Sequence, residues 1–452
     1  MSRRRKRLRL AAALLCVCAG WVFVSAAPAG GPLAVGGPSL GTAGLPLVWS
    51  TAAPIRYWTD GGGLGILTNA QANDMVQRMF RVWDEVPTAA VSLQRAGQVT
   101  ISDGDISSLS EFELSEVACE SGTQSPIIYD QTGVLFDLLI GDALVIGFAG
   151  PCGFNSAGLI TGGLAAMNDR MRDGVNTPTN PELTADEFET AMIHEFGHFL
   201  GLDHSLVPCF AGCLLEDLFA LPTMFPVLVT LEMKTLAPDD IAWLSQLYPA
   251  PSFSASYGTV SGRVLFSDGI RGVQGVIVTL RQVDNPDTPE DESRRMAFSA
   301  FSGYRFTGNP GQSFTADYLP CRNDSFCQGG FLGDNRGGSN FGSRDPALRG
   351  VWEISVPAGT YTIRVDSANT GFNVPVGPLE PVFPLPGVPE FWNVGESATD
   401  DEGLRDTIVV TAGGTIGGID VILNGTPSLF DQFEQSDAPP SASRRTTGAP
   451  ML

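Results

Sequence analysis

All three histidines of this chain lie in one window, His194-Glu195-Phe196-Gly197-His198-Phe199-Leu200-Gly201-Leu202-Asp203-His204. On a helix, His194 and His198 are one turn apart, about 6 Å along the axis, so both imidazoles can face one metal ion. Gly201 tolerates the left-handed conformation that lets the chain leave the helix and bring His204 round as a third ligand. The window therefore predicts a metal centre at the end of a helix.

The residue types in this window predict the chemistry of the centre. Three neutral imidazoles suit Zn²⁺ and leave its fourth tetrahedral position to water, which is typical of a catalytic site. Glu195 is expected beside that water, where it accepts a proton and passes it to the leaving group. At ordinary residue frequencies, a chance match to the fixed positions is on the order of 10⁻⁵ in a chain of this length. We therefore predict one zinc ion, held by His194, His198 and His204, with Glu195 as the catalytic residue.

The same window, HExxHxxGxxH followed by Ser205, resembles the metzincin zinc peptidases and is most similar to their matrixin branch, which includes the matrix metalloproteinases. The segment Pro222-Thr223-Met224-Phe225-Pro226 looks like the Met-turn of that family. By this resemblance, Met224 underlies the zinc, and Phe225 and Pro226 shape the substrate pocket beyond the scissile bond. Taken alone, a methionine in such a turn is also typical of core packing.

The resemblance covers residues 46–249 and implies an α+β zincin-type catalytic domain that hydrolyses peptide bonds. It also implies that a strand predicted at Gly158–Met167 is the edge strand of the cleft. Gly163, Leu164 and Ala165 would then receive an extended peptide by β-pairing. The alternative is that Gly158–Met167 is an ordinary buried strand.

Periodicity predicts the elements around these motifs. Apolar residues at helical spacing predict a helix over 68–85. Thr184 and Glu187 form a capping box that predicts the start of the histidine helix, and Gly201 predicts its end. Pro238 predicts the start of a further helix, similar to the closing helix of matrixin domains. Short apolar runs predict strands at 54–58, 133–139, 143–148 and 158–167.

The second half of the chain has a different pattern. After a Pro/Ser/Ala-rich linker at 250–257, alternating apolar residues predict an all-β sandwich over 258–424. Gly258–Val264 and Val356–Thr362 resemble the carboxypeptidase-regulatory-like sandwiches. Residues 284–350 are expected to be a long loop inserted in this sandwich. The sandwich is expected either to stabilise the first domain or to bind a surface or matrix ligand.

Both ends of the chain are expected to lie outside these domains. Residues 1–27 have the basic, apolar and small-residue regions of a signal peptide, and the apolar run Leu10–Val24 is short for a membrane span. Residues 28–45 are expected to be an extended Gly/Pro-rich arm, and residues 425–452 a disordered tail. We therefore expect a protein that is secreted, extracellular or in the cell envelope after signal peptide cleavage.

The composition restricts the classes of molecule that we expect as partners of this protein. With 27 Lys+Arg against 49 Asp+Glu, the chain has a formal net charge of −22. Nucleic acid would be repelled by such a surface. We expect a monomer that acts on a protein or peptide substrate and has no stable membrane span.

The cysteines outside the predicted signal peptide are even in number, which favours disulfides in an exported chain. We expect Cys321 to pair with Cys327, and the others to pair within the first domain: Cys119, Cys152, Cys209 and Cys213.

Two questions remain open from the sequence. Asp103, Asp105, Asp130 and Asp169 could bind Ca²⁺, although scattered acids without a loop signature are more often solvated. The function also has alternatives. The chain could be an adhesive or binding protein whose sandwich is the working module and whose zinc domain is inactive, or a zinc hydrolase that acts on other bonds.

Overall fold

The computed structural model shows a mixed α/β region followed by a region of two β-sheets, which agrees with the expected α+β and β-rich parts of the chain. It describes residues 31–33, 45–140, 145–177, 181–205, 207, 221–273, 276–303, 350–367, 385 and 387–425. The predicted signal peptide, most of the arm and nearly all of the tail lie outside these residues. So do four of the six cysteines that follow the predicted signal peptide: Cys209, Cys213, Cys321 and Cys327.

The first region is built on one sheet, in the order β1-β6-β4-β2-β3, with β5 pairing β6. The strand β5 is antiparallel to β6, whereas the other pairs are parallel. The strands are β1 (Val48–Trp49), β2 (Ile55–Thr59), β3 (Leu93–Gln98), β4 (Pro126–Asp130), β5 (Gly147–Phe154) and β6 (Leu159–Asn168).

The strand predicted at 158–167 is present as β6, but its expected position at the edge of the sheet is wrong. On one side β6 pairs with β4, from Ala165 to Asn168. On its other side it pairs with β5 over most of its length. Among the described residues, the outermost strand on that side of the sheet is therefore β5, and β6 is an internal strand.

Among the described residues, five helices accompany the sheet. The predicted helix over 68–85 is confirmed, and its Phe80 ring stacks on Phe196 of the histidine helix with 3.7 Å between ring centroids. The helices are α1 (Asn69–Asp84), α2 (Leu109–Glu120), α3 (Val134–Leu139), α4 (Ala185–Phe199) and α5 (Pro238–Leu247), with 3₁₀ turns at Asp169–Arg172 and Leu231–Lys234. None of the helices in the described residues is both long and apolar enough to span a membrane.

Two of the expected strands differ in the structure. The run at 133–139 forms the helix α3, because Gly133 begins it with a φ of 69° and the Asp130 carboxylate accepts a hydrogen bond from Phe136 N at 3.1 Å. The run at 143–148 is only partly described, and the strand there begins at Gly147.

The described part of the second region contains two sheets, in the orders β10-β7-β14 and β12-β11-β8-β9, with β15 pairing β7 and β13 pairing β11. The elements are β7 (Tyr257–Leu265), β8 (Val276–Gln282), α6 (Glu292–Arg295), β9 (Ala297–Phe301), β10 (Val351–Pro357), β11 (Gly359–Ser367), β12 (Glu390–Phe391), β13 (Ile408–Val410), β14 (Thr415–Ile416) and β15 (Val421–Ile422). The expectation that 284–350 is wholly a loop is wrong, because β9 lies within it and pairs with β8.

The two regions share one apolar core. Side chains of α5 and of the second region belong to the same buried cluster. Trp243 Nε1 of α5 donates a hydrogen bond to Ser299 O in β9 at 2.8 Å, and Ser355 N in β10 donates to Gln246 Oε1 at 2.8 Å. The segment at 250–257 forms turns, in which Tyr257 N donates to Phe253 O at 2.9 Å. It therefore does not act as an extended spacer between the regions.

Candidate metal centre and cleft

The helix α4 begins and ends where its sequence predicts. Thr184 N donates to Glu187 Oε2 at 2.7 Å, and Glu187 N donates to Thr184 Oγ1 at 3.3 Å, which completes the capping box. Beyond the last helical residue, Gly201 has a φ of 83°. That left-handed residue turns the chain back, so that His204 reaches the same side as His194 and His198.

The three histidines converge through their Nε2 atoms. His198 Nε2 lies 3.1 Å from His194 Nε2 and 3.2 Å from His204 Nε2. A tetrahedral ion with metal–nitrogen bonds of about 2.0–2.1 Å holds two nitrogens about 3.3–3.4 Å apart. The three side chains are thus close enough to hold one metal ion.

The hydrogen bonds of the Nδ1 atoms indicate which tautomer His194 and His198 adopt. His194 Nδ1 lies 2.8 Å from Thr223 O, and His198 Nδ1 lies 2.9 Å from Leu202 O. A carbonyl only accepts, so each Nδ1 carries the proton, and each Nε2 keeps its lone pair. Two lone pairs that face each other at 3.1 Å repel unless a cation lies between them.

Burial keeps these imidazoles neutral. It lowers the pKa of His194 to about 4 and the pKa of His198 to about 3, and the neighbouring His194 lowers the latter further. The pKa of His204 is well below its usual value for the same reasons. Near neutral pH the three rings are therefore ready to act as ligands without first losing a proton.

Glu195 lines the same cleft as the three histidines and is 8% exposed. Burial raises the pKa of its carboxyl group to about 8. The edge strand β5 approaches it closely, because a Cβ atom added to Gly147 would be only 2.7 Å from Glu195 Cγ. The absence of a side chain at Gly147 therefore makes the room in which Glu195 lies.

The segment predicted to be a Met-turn packs against the histidine helix α4. Met224 is 2% exposed, and a Cβ atom added to Gly197 of α4 would overlap its sulfur atom. Asp240 of α5 holds the turn by accepting hydrogen bonds from Thr223 N at 2.8 Å and Met224 N at 3.0 Å. Thr223 O in turn accepts a hydrogen bond from His194 Nδ1. The helix α5 therefore helps to position His194, a candidate metal ligand, through this turn.

An apolar cleft of about 410 Å³ opens over the three histidines and Glu195. Of the predicted substrate-binding residues, Leu164, Phe225 and Pro226 line it. Its other apolar lining residues include Phe112, Ile140, Val145, Ile146, Phe148, Val227, Leu228 and Met233.

Two of the predicted substrate-binding residues lie elsewhere. A Cβ atom on Gly163 would be within about 3 Å of the Phe199 and Trp49 rings, so its close contact is with the core. Ala165 is fully buried. Because β6 is internal, the backbone that borders the cleft belongs to β5, whose Gly147, Phe148 and Ala149 line it.

A disulfide bond connects the edge strand to a helix. The sequence predicts disulfides within the first domain but does not indicate which cysteines pair. Cys152 of β5 is bonded to Cys119 of α2, with 5.8 Å between the Cα atoms. The predicted pairs that involve Cys209, Cys213, Cys321 and Cys327 fall outside the described residues.

Part of the predicted arm contacts this site, which no sequence signal indicated. Leu33 N donates to Gly201 O at 2.7 Å, and Asp203 N donates to Gly31 O at 3.0 Å. Leu33 is 6% exposed and lines the cleft. The segment 31–33 therefore pairs with the turn that carries the third histidine.

The aspartates considered for Ca²⁺ do not form a second centre of this kind. Within the described parts of the chain, the three histidines are the only group of at least three His, Cys, Asp or Glu ligands whose atoms all lie within 4.8 Å of one another. Asp130 and Asp169 are nonetheless buried, and burial raises the pKa of both. The expectation that such acids are solvated is therefore wrong for these two.

Taken together, these residues form one site with three converging imidazoles, a buried carboxylate and an apolar cleft. An antiparallel edge strand borders the cleft. No protein-family model matches the chain, and a search of curated proteins finds no match to it.

Proposed function

We propose that this protein is a secreted, zinc-dependent endopeptidase of the metzincin type, similar to the matrixins, which cleaves extended protein segments. The observation that carries the proposal is the convergence of three histidine Nε2 atoms in a cleft that a buried carboxylate, Glu195, also lines. A structural zinc site has four protein ligands, whereas three imidazoles leave a position open.

The donor set favours zinc. Neutral imidazoles suit Zn²⁺, and the separations of the nitrogens fit its tetrahedral geometry. When bound, zinc supplies a Lewis acid that activates water and the scissile carbonyl, and its charge favours the ionised form of Glu195. Glu195 then accepts the proton of the attacking water and donates it to the leaving amine.

The cleft supports a peptide substrate. The strand β5 pairs with β6 on one side only among the described residues, so its other edge offers backbone groups to an extended chain. Phe225 and Pro226 form part of an apolar wall that suits an apolar side chain of the substrate. An extended segment paired with β5 would place its backbone beside Glu195, because Gly147 contacts that side chain.

The test compares cleavage of an unstructured protein by the wild type and by Glu195→Ala, at matched zinc loading. Asp74→Ala is the control, since Asp74 is an exposed acid on α1. We expect the wild type and Asp74→Ala to cut, a chelator to stop them, and Glu195→Ala to bind zinc without cutting. Cleavage by Glu195→Ala at the wild-type rate would overturn the mechanism. Zinc binding without cleavage by any form would favour the adhesive alternative.

A further inference from the structure

A hydrogen-bonded connection runs from the β-sandwich to the metal centre. Ser299 in β9 donates to Asp239 Oδ1 from its backbone N at 2.7 Å, and to Asp239 Oδ2 from its Oγ at 3.1 Å. Asp239 lies in the first turn of α5 and is 1% exposed. The sandwich thus supplies two of the donors to a buried carboxylate of the first region.

The same carboxylate holds the chain that follows the third histidine. Ser205 Oγ donates to Asp239 Oδ2, and Ser205 N donates to Met224 O at 2.7 Å. Ser205 comes directly after His204 in the sequence. The path from the sandwich to the third candidate ligand therefore passes through Ser299, Asp239 and Ser205.

We propose that Ser299 is a positioning residue for the metal centre, so that the β-sandwich is part of the machinery that holds His204 in place. This inference rests on the proposed metal site. It assigns the sandwich a role in the chemistry of the first region, beyond covering its surface.

The physical reason is the cost of an unsatisfied buried carboxylate. Ser205 and Ser299 are as deeply buried as Asp239, so water does not replace a lost donor. His204 lies outside α4, and its position depends on the turn from Gly201 to Ser205 rather than on a helix. When the carboxylate keeps both serines, that turn is already ordered before metal binding. When one donor is lost, the turn is ordered only when the metal binds. The entropy cost of that ordering then weakens the metal affinity.

The experiment measures zinc affinity in the full chain by competition with a chromogenic chelator, and the visible absorption spectrum of the Co²⁺-substituted form. We expect Ser299→Ala to weaken zinc binding about ten-fold, the effect of one hydrogen bond to a charged group, and to change the Co²⁺ spectrum. Ser205→Ala should do the same, and the double variant should lose less than the sum, because both changes break one path.

Two controls separate this role from general stabilisation. Ser302→Ala removes another buried serine of the sandwich, whose Oγ accepts from Val276 N at 3.2 Å. Gln246→Ala removes the contact between α5 and Ser355, which does not lead to His204. Both should keep wild-type zinc affinity and the wild-type Co²⁺ spectrum.

Unchanged zinc affinity and Co²⁺ spectrum in Ser299→Ala would overturn the inference, as would an equal loss in Gln246→Ala. If Ser299→Ala does not fold, Ser299→Cys replaces it, because the thiol fills a similar space but is a weak hydrogen-bond donor; unchanged zinc affinity in that variant would likewise overturn the inference. These measurements report on metal binding only, so a zinc-loaded wild type that cuts no protein would refute the proposed function and leave this result standing.

Discussion

The glycines of the edge strand offer a sharp test of the proposed catalytic arrangement. Gly147 and Gly150 both lie in β5, both line the cleft, and neither has a positive φ, so the backbone tolerates alanine at each position. They differ in what a methyl group would meet. At Gly147 it would be 2.7 Å from Glu195 Cγ, whereas at Gly150 its nearest neighbour would be Leu33 Cδ2 at 3.5 Å.

The size of the effect follows from these distances. Carbon atoms in contact are about 3.5–4.0 Å apart, so Gly147→Ala moves Glu195 Cγ by about 0.8 Å and the carboxylate by about 1 Å. A misplacement of that size reduces the rate by on the order of 10²-fold. Complete loss of a general base reduces it by about 10²- to 10⁴-fold. We therefore expect kcat of Gly147→Ala to fall about 100-fold.

The assay is steady-state cleavage of a quenched fluorescent peptide, with zinc content measured in each preparation. Gly147→Ala should keep its zinc, since the three atoms nearest to the added methyl group belong to Glu195 and Ala166 rather than to a histidine. Gly150→Ala should retain kcat within about three-fold of the wild type, because 3.5 Å is an ordinary contact. If zinc-loaded Gly147→Ala also retained kcat within three-fold of the wild type, the position of Glu195 beside β5 would not determine the rate, and the reasoning would be refuted.

Two further predictions concern stability. Replacing both Cys119 and Cys152 by serine should lower the free energy of unfolding by about 3–4 kcal/mol, since the bond closes a loop with a sequence separation of 33. Denaturant titration should show this loss, and a reductant that leaves wild-type stability unchanged would argue against it. Burial raises the pKa of Asp60 to about 7, so the folded protein keeps a proton that the unfolded chain releases above about pH 4. This group's contribution to stability therefore falls as pH rises from about 4 to about 7. In that range, Asp60→Asn should make the slope of the free energy of unfolding against pH less negative by up to about 1.4 kcal/mol per pH unit. Denaturant titrations at several pH values that give the same slope for both proteins would contradict this prediction.

The convergence of the three histidines could be predicted because its determinants are local. The capping pair Thr184 and Glu187, the histidine spacing and Gly201 lie within a short stretch of chain, and each acts on its neighbours. The structure shows each of them in the expected conformation. The link from Asp239 to Ser299 had no such signal, because it joins residues that only the packing of two regions brings together.

The position of the edge strand could not be predicted for a similar reason. The glycines of β6 do mark a close approach, but at Gly163 the approach is to Phe199 and Trp49, rather than to a substrate. The true edge strand, β5, contains Pro151 and several glycines and lacks a strong alternating pattern. Which strand borders a cleft depends on pairing partners, and strand pairing is not local in sequence.

The helix α2 escaped prediction because its buried face is not marked by large apolar residues. Its buried positions include Ser115 and Cys119, whereas Leu114 and Val117 are 54% and 59% exposed. Apolar periodicity therefore does not mark the face that packs on the sheet. The only large apolar residue buried in this helix is Phe112.

The common core of the two regions restricts where recombination can join this gene to another. Residues 250–257 separate a helical sequence pattern from a strand pattern, yet Trp243 and Leu244 on one side belong to the same buried cluster as Phe298 and Val356 on the other. Recombination between genes at this boundary would expose apolar surface on both products. The second region therefore cannot be exchanged as an independent module. Substitutions on one side of that surface must therefore remain compatible with the residues packed against it from the other region.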